Sequence, residues 1–321
     1  MNYQNVATPR FYIDHANFLK ASNKLDAQGI MADAVGLRSP TNMVTYTRGD
    51  GGISSVSTLL TDKVNWCAIL GHNFHEQGVR WYPEGDDGSW ITITNKTSVV
   101  NSSWASSDYS GFGIARASGE YTDYFDFTRT PTNFKFYINT DENDNNFETI
   151  KVGSVCYGTY YDMPHSPDLE LTLSYKYDGS KTFQTQDGGT LSNSMYVRPA
   201  SWGSPAWTLG AERNYFNNDR TGRRTWDLSF SYLSDEDVMP TFGGQDYDGT
   251  YVDKDILSST DFFSQVWNKT LGGQLPFIFQ PNKTNNEPDQ FAICKFISKS
   301  LNYKQVAVNI YNINLKIEEV W

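Results

Sequence analysis

Residues 168–179 read DLELTLSYKYDG, and their alternation decides the fold class. Leu169, Leu171, Leu173, Tyr175 and Tyr177 alternate without a break against Asp168, Glu170, Thr172, Ser174 and Lys176. A period of two is that of an extended chain whose successive side chains point to opposite faces. The stretch therefore predicts a strand of about eleven residues, buried on one face and wet on the other. Asp178-Gly179 is a turn signal, and KTFQTQ after it is the expected hairpin partner.

The same period recurs downstream. TWDLSFSYL alternates through Trp226, Leu228, Phe230 and Tyr232. Near the end of the chain, Tyr311, Ile313, Leu315 and Ile317 alternate with Asn312, Asn314, Lys316 and Glu318. Just upstream, Val306, Val308 and Ile310 hold the opposite phase, which predicts a β-bulge or a segment covered on both faces. In the first half the expected strands are 53–60, 64–70, 90–100, 112–118, 123–128, 133–139 and 149–157. They are short and separated by Gly, Asn, Asp and Ser, a spacing suited to a sandwich or jelly roll. The polar stretch DENDNN (141–146) is expected at a hairpin tip.

Helix is scarce. TDFFSQVWNKTL (260–271) predicts one, with Ser259 or Thr260 as N-cap and Gly272-Gly273 as its stop. Phe262, Phe263, Val266, Trp267 and Leu271 would form its apolar stripe. A second, shorter helix is compatible with 14–21. The strand pattern restarts after HSPD (165–168), so the expected division is an N-terminal jelly-roll-like sandwich over 1–165 and a C-terminal sandwich over 166–321. One continuous pair of sheets is the competing arrangement.

Composition narrows the function. The chain has 321 residues and a net charge of −11, with 26 Lys plus Arg against 37 Asp plus Glu. That balance opposes partners such as nucleic acid and anionic lipid, which need a basic face. The one basic cluster, DRTGRR around Arg220–Arg224, reads as a solvated turn. No apolar run is long enough to span a membrane, and the N-terminus lacks the pattern of a signal peptide. Cys67, Cys156 and Cys294 lie far apart in apolar stretches and are expected as reduced core thiols.

Reactive motifs are missing. Of the four histidines (His15, His72, His75, His165), only His72 and His75 are close in sequence, in LGHNFHEQG, and no third ligand follows at a usual spacing. EGDDG (84–88) and DENDNN offer oxygen atoms but do not match a calcium loop. There is no phosphate loop, nucleophile elbow or dinucleotide fingerprint. The expectation is a non-enzyme with no cofactor and no metal. Aromatics reach 15% of the chain. Trp81, Trp104, Trp202 and Trp207 sit in Ser-, Gly- and Asp-rich segments, outside the alternating strands, where a sugar face or a partner protein could stack on them.

The stretch FFSQVWNKTLGGQLPFIFQPNKTNNEPDQFAICKF, with YKQVAVNIYNINLKIEEVW after it, resembles the closing segment of tailed-bacteriophage distal tail and tail-tip proteins. In such proteins a strand leads to a short helix, a strand ending in Phe-x-Phe, a turn and a last long strand. Here 222–235, Phe262 to Leu271, Pro276 to Gln280 and Asn309 to Trp321 match those parts. CAILGHNFHEQGVRWY (67–82) is similar to a strand-turn segment of phage-encoded sandwich modules, some of which bind carbohydrate, and ATPRFYIDHANFLK is similar to the opening of marine-phage virion proteins.

The resemblance implies a virion structural protein, a tail-tip, baseplate or adaptor component that forms a homo-oligomeric ring and contacts other virion proteins. Tyr311, Ile313, Leu315, Ile317 and Trp321 would belong to an assembly strand. The alternative is a carbohydrate- or receptor-binding module contacting a host-surface glycan through Trp81, Trp104, Trp202 or Trp207.

Overall fold

Strands dominate the structure, a computed structural model. It describes residues 5–23, 25, 27–28, 32–38, 44–46, 54–59, 64–72, 79–85, 96–100, 111–117, 133–140, 150–176, 181–193, 223–240, 259–286 and 290–320. In chain order the first strands are β1 (Arg10–Asp14), β2 (Ala27–Gln28), β3 (Val44–Tyr46), β4 (Ser54–Leu59), β5 (Trp66–His72), β6 (Val79–Gly85) and β7 (Lys96–Val100). Then come β8 (Gly111–Ala117), β9 (Asn133–Thr140), β10 (Ile150–Val152), β11 (Ser154–Asp162), β12 (Thr172–Lys176), β13 (Lys181–Gln184) and β14 (Thr190–Asn193). The last are β15 (Arg223–Ser234), β16 (Phe277–Gln280), β17 (Ala292–Phe296), β18 (Tyr303–Ala307) and β19 (Ile310–Glu319). Helices among the described residues are α1 (His15–Ala21), α2 (Asp235–Val238), a 3₁₀ turn at Ala32–Ala34 and a π-helix at Phe263–Asn268. None is long and apolar enough to cross a membrane. The all-β class follows the alternation, and α1 falls on the shorter helix compatible with 14–21.

Eleven strands form one sheet in the order β12-β15-β19-β17-β16-β1-β11-β5-β8-β7, with β18 also paired to β19. A four-stranded sheet (β2-β4-β9-β6) and two two-stranded pairs (β3-β10 and β13-β14) complete the described strands. The ladders between the described strands are antiparallel, with Phe11 opposite Tyr161 on one side of β1 and Phe279 on the other. Strand β1 thus joins strands from before and after residue 165, and hydrogen bonding runs across the expected division.

The middle of the sheet is buried on both faces. Phe11, Ile13, Phe277, Phe279, Ala292 and Cys294 enter one core with Trp226, Leu228, Phe230, Leu315 and Ile317. Their neighbours Tyr12, Ile278 and Ile293 point the other way, into a second core with Trp66, Ala68, Leu70 and Cys156. Each Leu, Ile or Phe among them contributes roughly 1.5–3 kcal/mol on burial. Strands covered on both sides read as continuous apolar runs, whereas β15 and β19, wet on one face, keep the alternation. All three cysteines are buried and none is in a disulfide, as expected.

Several details depart from the sequence reading. Over its described residues, 168–176, the stretch holds the five-residue β12 at the sheet's edge, with Leu169 wholly exposed and Tyr175 48% exposed. Its partner is β15; KTFQ instead pairs with β14, Phe183 opposite Leu191. In β15 the alternation holds to Phe230 and then breaks at a bulge. Tyr232, at φ 63°, turns out to solvent, and Leu233 takes the buried place. The phase change near Val306–Ile310 is a hairpin turn with Asn309 at φ 57°, together with a register shift between Gln305 and Ala307. Segments 123–128 and 141–146 lie outside the described residues.

The expected helix at 260–271 is a π-helix, its apolar residues Phe262, Val266 and Trp267 packed on the first core. Its cap is Asp261 rather than Ser259 or Thr260: Asp261 Oδ1 accepts the Ser264 N–H at 2.9 Å, while the Ser259 hydroxyl donates to Oδ2. Leu271, Gly272 and Gly273 all have positive φ and end the segment. A Cβ at Gly273 would lie 2.7 Å from that of Phe296, so the strand-to-helix contact requires glycine there.

Candidate functional site

Among the described residues, buried polar groups concentrate where β1 ends. Asp14, the last residue of β1, caps α1: its carboxylate accepts the N–H groups of Ala16 and Asn17 at 3.0 and 3.3 Å. It also accepts the Leu37 N–H at 2.6 Å, tying down the segment after the 3₁₀ turn. Burial pushes the Asp14 carboxyl up to about 6, against the pull of those donors.

His15 follows as the first residue of α1. Its Nε2 lies 3.1 Å from Thr159 Oγ1 on β11 and 3.3 Å from Lys269 Nζ, just past the π-helix. Lys269 also donates to Gln265 Oε1 at 3.1 Å, as does the Thr159 hydroxyl. Gly158 makes room for this approach, because a Cβ there would sit 2.0 Å from the Ile13 carbonyl oxygen and 3.0 Å from His15 Cδ2. Burial, and then the charge of Lys269, hold the His15 imidazole well below its ordinary pKa. A neutral ring facing an ammonium group can accept the Lys269 N–H through Nε2.

A neutral imidazole beside an amine is a combination that can move protons. Here, however, His15, Thr159 and Lys269 are all buried, and their bonds run between α1, β11 and the π-helix. The arrangement bolts three elements together.

A second polar cluster lies in the sheet. Arg10 grips Asp162 through Nε and Nη2 at 2.5 and 2.7 Å, beneath the Tyr160 ring and beside Lys283. Arg224, expected in a solvated basic turn, is instead fully buried and paired with Glu319. The cause is its place in β15, where it shares the inward face with Trp226 and Leu228.

The residues singled out from sequence fall differently. Trp81 lies in β6, opposite Ile138, not outside the strands. Trp104, Trp202, Trp207 and Trp321 are outside the described residues, as are His75 and most of the two acidic loops. Tyr311, Ile313, Leu315 and Ile317 all lie on β19, the last three in the chain's own core. β19 is an interior strand, paired with β15 along one edge and with β18 and β17 at the two ends of the other. Among the described residues no group of three or more His, Cys, Asp or Glu side chains is placed to hold a metal.

Sequence reading did not join His15 to Thr159, Gln265 and Lys269. Gln265 and Lys269 share a helical face by their spacing of four, but nothing local links them to His15, 254 positions before Lys269. Neither family models nor curated proteins nor solved structures give a match to this chain.

Proposed function

We propose that the chain is a non-enzymatic structural component of a tailed-phage virion, of the tail-tip, baseplate or adaptor kind, assembling with copies of itself and with other virion proteins. The observation that carries this reading is where large apolar side chains meet solvent. Leu169 precedes the edge strand β12 and Tyr175 lies within it, Phe183 and Leu191 face each other across the β13-β14 hairpin, and Tyr232 and Val308 stand on a bulge and a turn. A lone two-stranded hairpin is marginal in water, and an exposed apolar pair on one suits a surface that another subunit covers. The buried Asp14, His15, Lys269, Arg224 and Glu319, by contrast, are committed to internal bonds.

The virion context comes from the resemblance of the C-terminal half to the closing segment of tailed-phage tail proteins. Labelling particles through this chain and imaging them tests the reading, together with a glycan array. Label on the tail with no sugar signal supports it. An unlabelled particle, or an isolated chain that binds one host glycan, replaces it with the receptor-binding alternative.

A further inference from the structure

The edge strand β12 carries a pattern that matches itself. It is the terminal strand of the eleven-stranded sheet, and among the described residues no strand pairs with its outer edge. Such an edge presents a row of N–H and C=O groups that templates another strand. On the inner face Leu171 and Leu173 pack only partly on the core, and Tyr175 is about half exposed. Glu170, Thr172, Ser174 and Lys176 are exposed, with Lys176 Nζ 3.4 Å from Glu318 on the wet side.

We infer that β12 pairs antiparallel with β12 of a second copy of this chain, about a two-fold axis at Leu173. That register sets Glu170 opposite Lys176 of the second copy, Thr172 opposite Ser174, and Leu171 opposite Tyr175. Both ends of the ladder are then closed by opposite charges, and both apolar rows meet on one face. A parallel arrangement would set Glu170 against Glu170. A slip by one residue would turn the charged row onto the apolar one. The contact is isologous, the kind that closes a two-fold pair without further partners. It requires the paired region to extend two residues upstream of Thr172, to Glu170.

This inference rests on the assembly reading and names one of its contacts. Size-exclusion chromatography with light scattering, over a concentration series, tests it on the full chain. The unmodified protein associates; Glu170→Lys and Lys176→Glu each weaken association by about tenfold; and the double exchange restores it. Association that neither single variant alters places the contact elsewhere and overturns this inference, leaving the assembly reading intact. Single variants that weaken it without rescue by the double variant overturn the register. A monomer at every concentration overturns both.

Discussion

Arg224 and Glu319 meet as a bidentate ion pair inside the sheet, Nη2 to Oε1 at 3.2 Å and Nε to Oε2 at 3.3 Å. The Arg224 backbone N–H reaches the same carboxylate at 3.1 Å, and the second Nη2 bond goes to the Phe291 carbonyl. Both residues are buried, and the guanidinium lies over the Trp226 ring. Removing one partner strands the other charge in the interior. Glu319→Ala is therefore expected to cost about 3–5 kcal/mol in a denaturant titration. Lys316→Ala, which breaks a half-exposed pair with Asp227, should stay within about 0.5 kcal/mol.

The β1-α1 junction predicts two opposed pH dependences. Folding raises the Asp14 carboxyl from about 4 to about 6, so its stabilising contribution is full below pH ~4 and fades as pH rises through ~6, by roughly 3 kcal/mol. Folding lowers His15, so its contribution is full above pH ~6.5 and is lost as pH falls below that. Urea midpoints measured across this range should show Asp14→Asn losing the gain toward acid and keeping the His15 loss. His15→Gln should show the reverse.

Gly158 and Gly188 are expected to respond differently to alanine. At Gly158 the new methyl meets backbone, 2.0 Å from the Ile13 carbonyl oxygen, and the sheet must separate there. Gly158→Ala should lower stability by about 3 kcal/mol or more. At Gly188 there is open space but φ is +79°, so Gly188→Ala should cost only about 1–2 kcal/mol of backbone strain. Thermal melting distinguishes the two.

Burial raises the thiols of Cys156 and Cys294 well above their ordinary range, and Cys67 is buried with them. An aromatic disulfide reagent should titrate none of the three in native protein at neutral pH and all three after unfolding in guanidinium. Rapid reaction of Cys156 in the native state would contradict its place between β1 and β5.

Legibility in the sequence followed burial. Strands β15 and β19 are wet on one face, and their alternation announced them. Strand β1 is covered on both faces, so Phe11, Tyr12 and Ile13 form a short apolar run without a period, and the strand that links the two halves of the sheet went unread. The stretch around β12 misled in the other direction. Its alternation is the longest in the chain, yet it forms an edge, because pattern records which face could be buried and not whether a partner arrives. Tyr232 and the turn at Asn309 depend on left-handed backbone at non-glycine residues, which side-chain period does not report. The polar cluster at His15 was hidden for a different reason: its members come from distant parts of the chain and meet only through β1-β11 pairing and the docking of the π-helix.

Native mass spectrometry of the unmodified chain bears most directly on assembly through an exposed sheet edge. An even-numbered oligomer of the 36.4 kDa protomer is the expected result, dissociating through two-fold pairs as ionic strength rises. A monomer alone at every concentration, or an oligomer with an odd number of subunits, would contradict it.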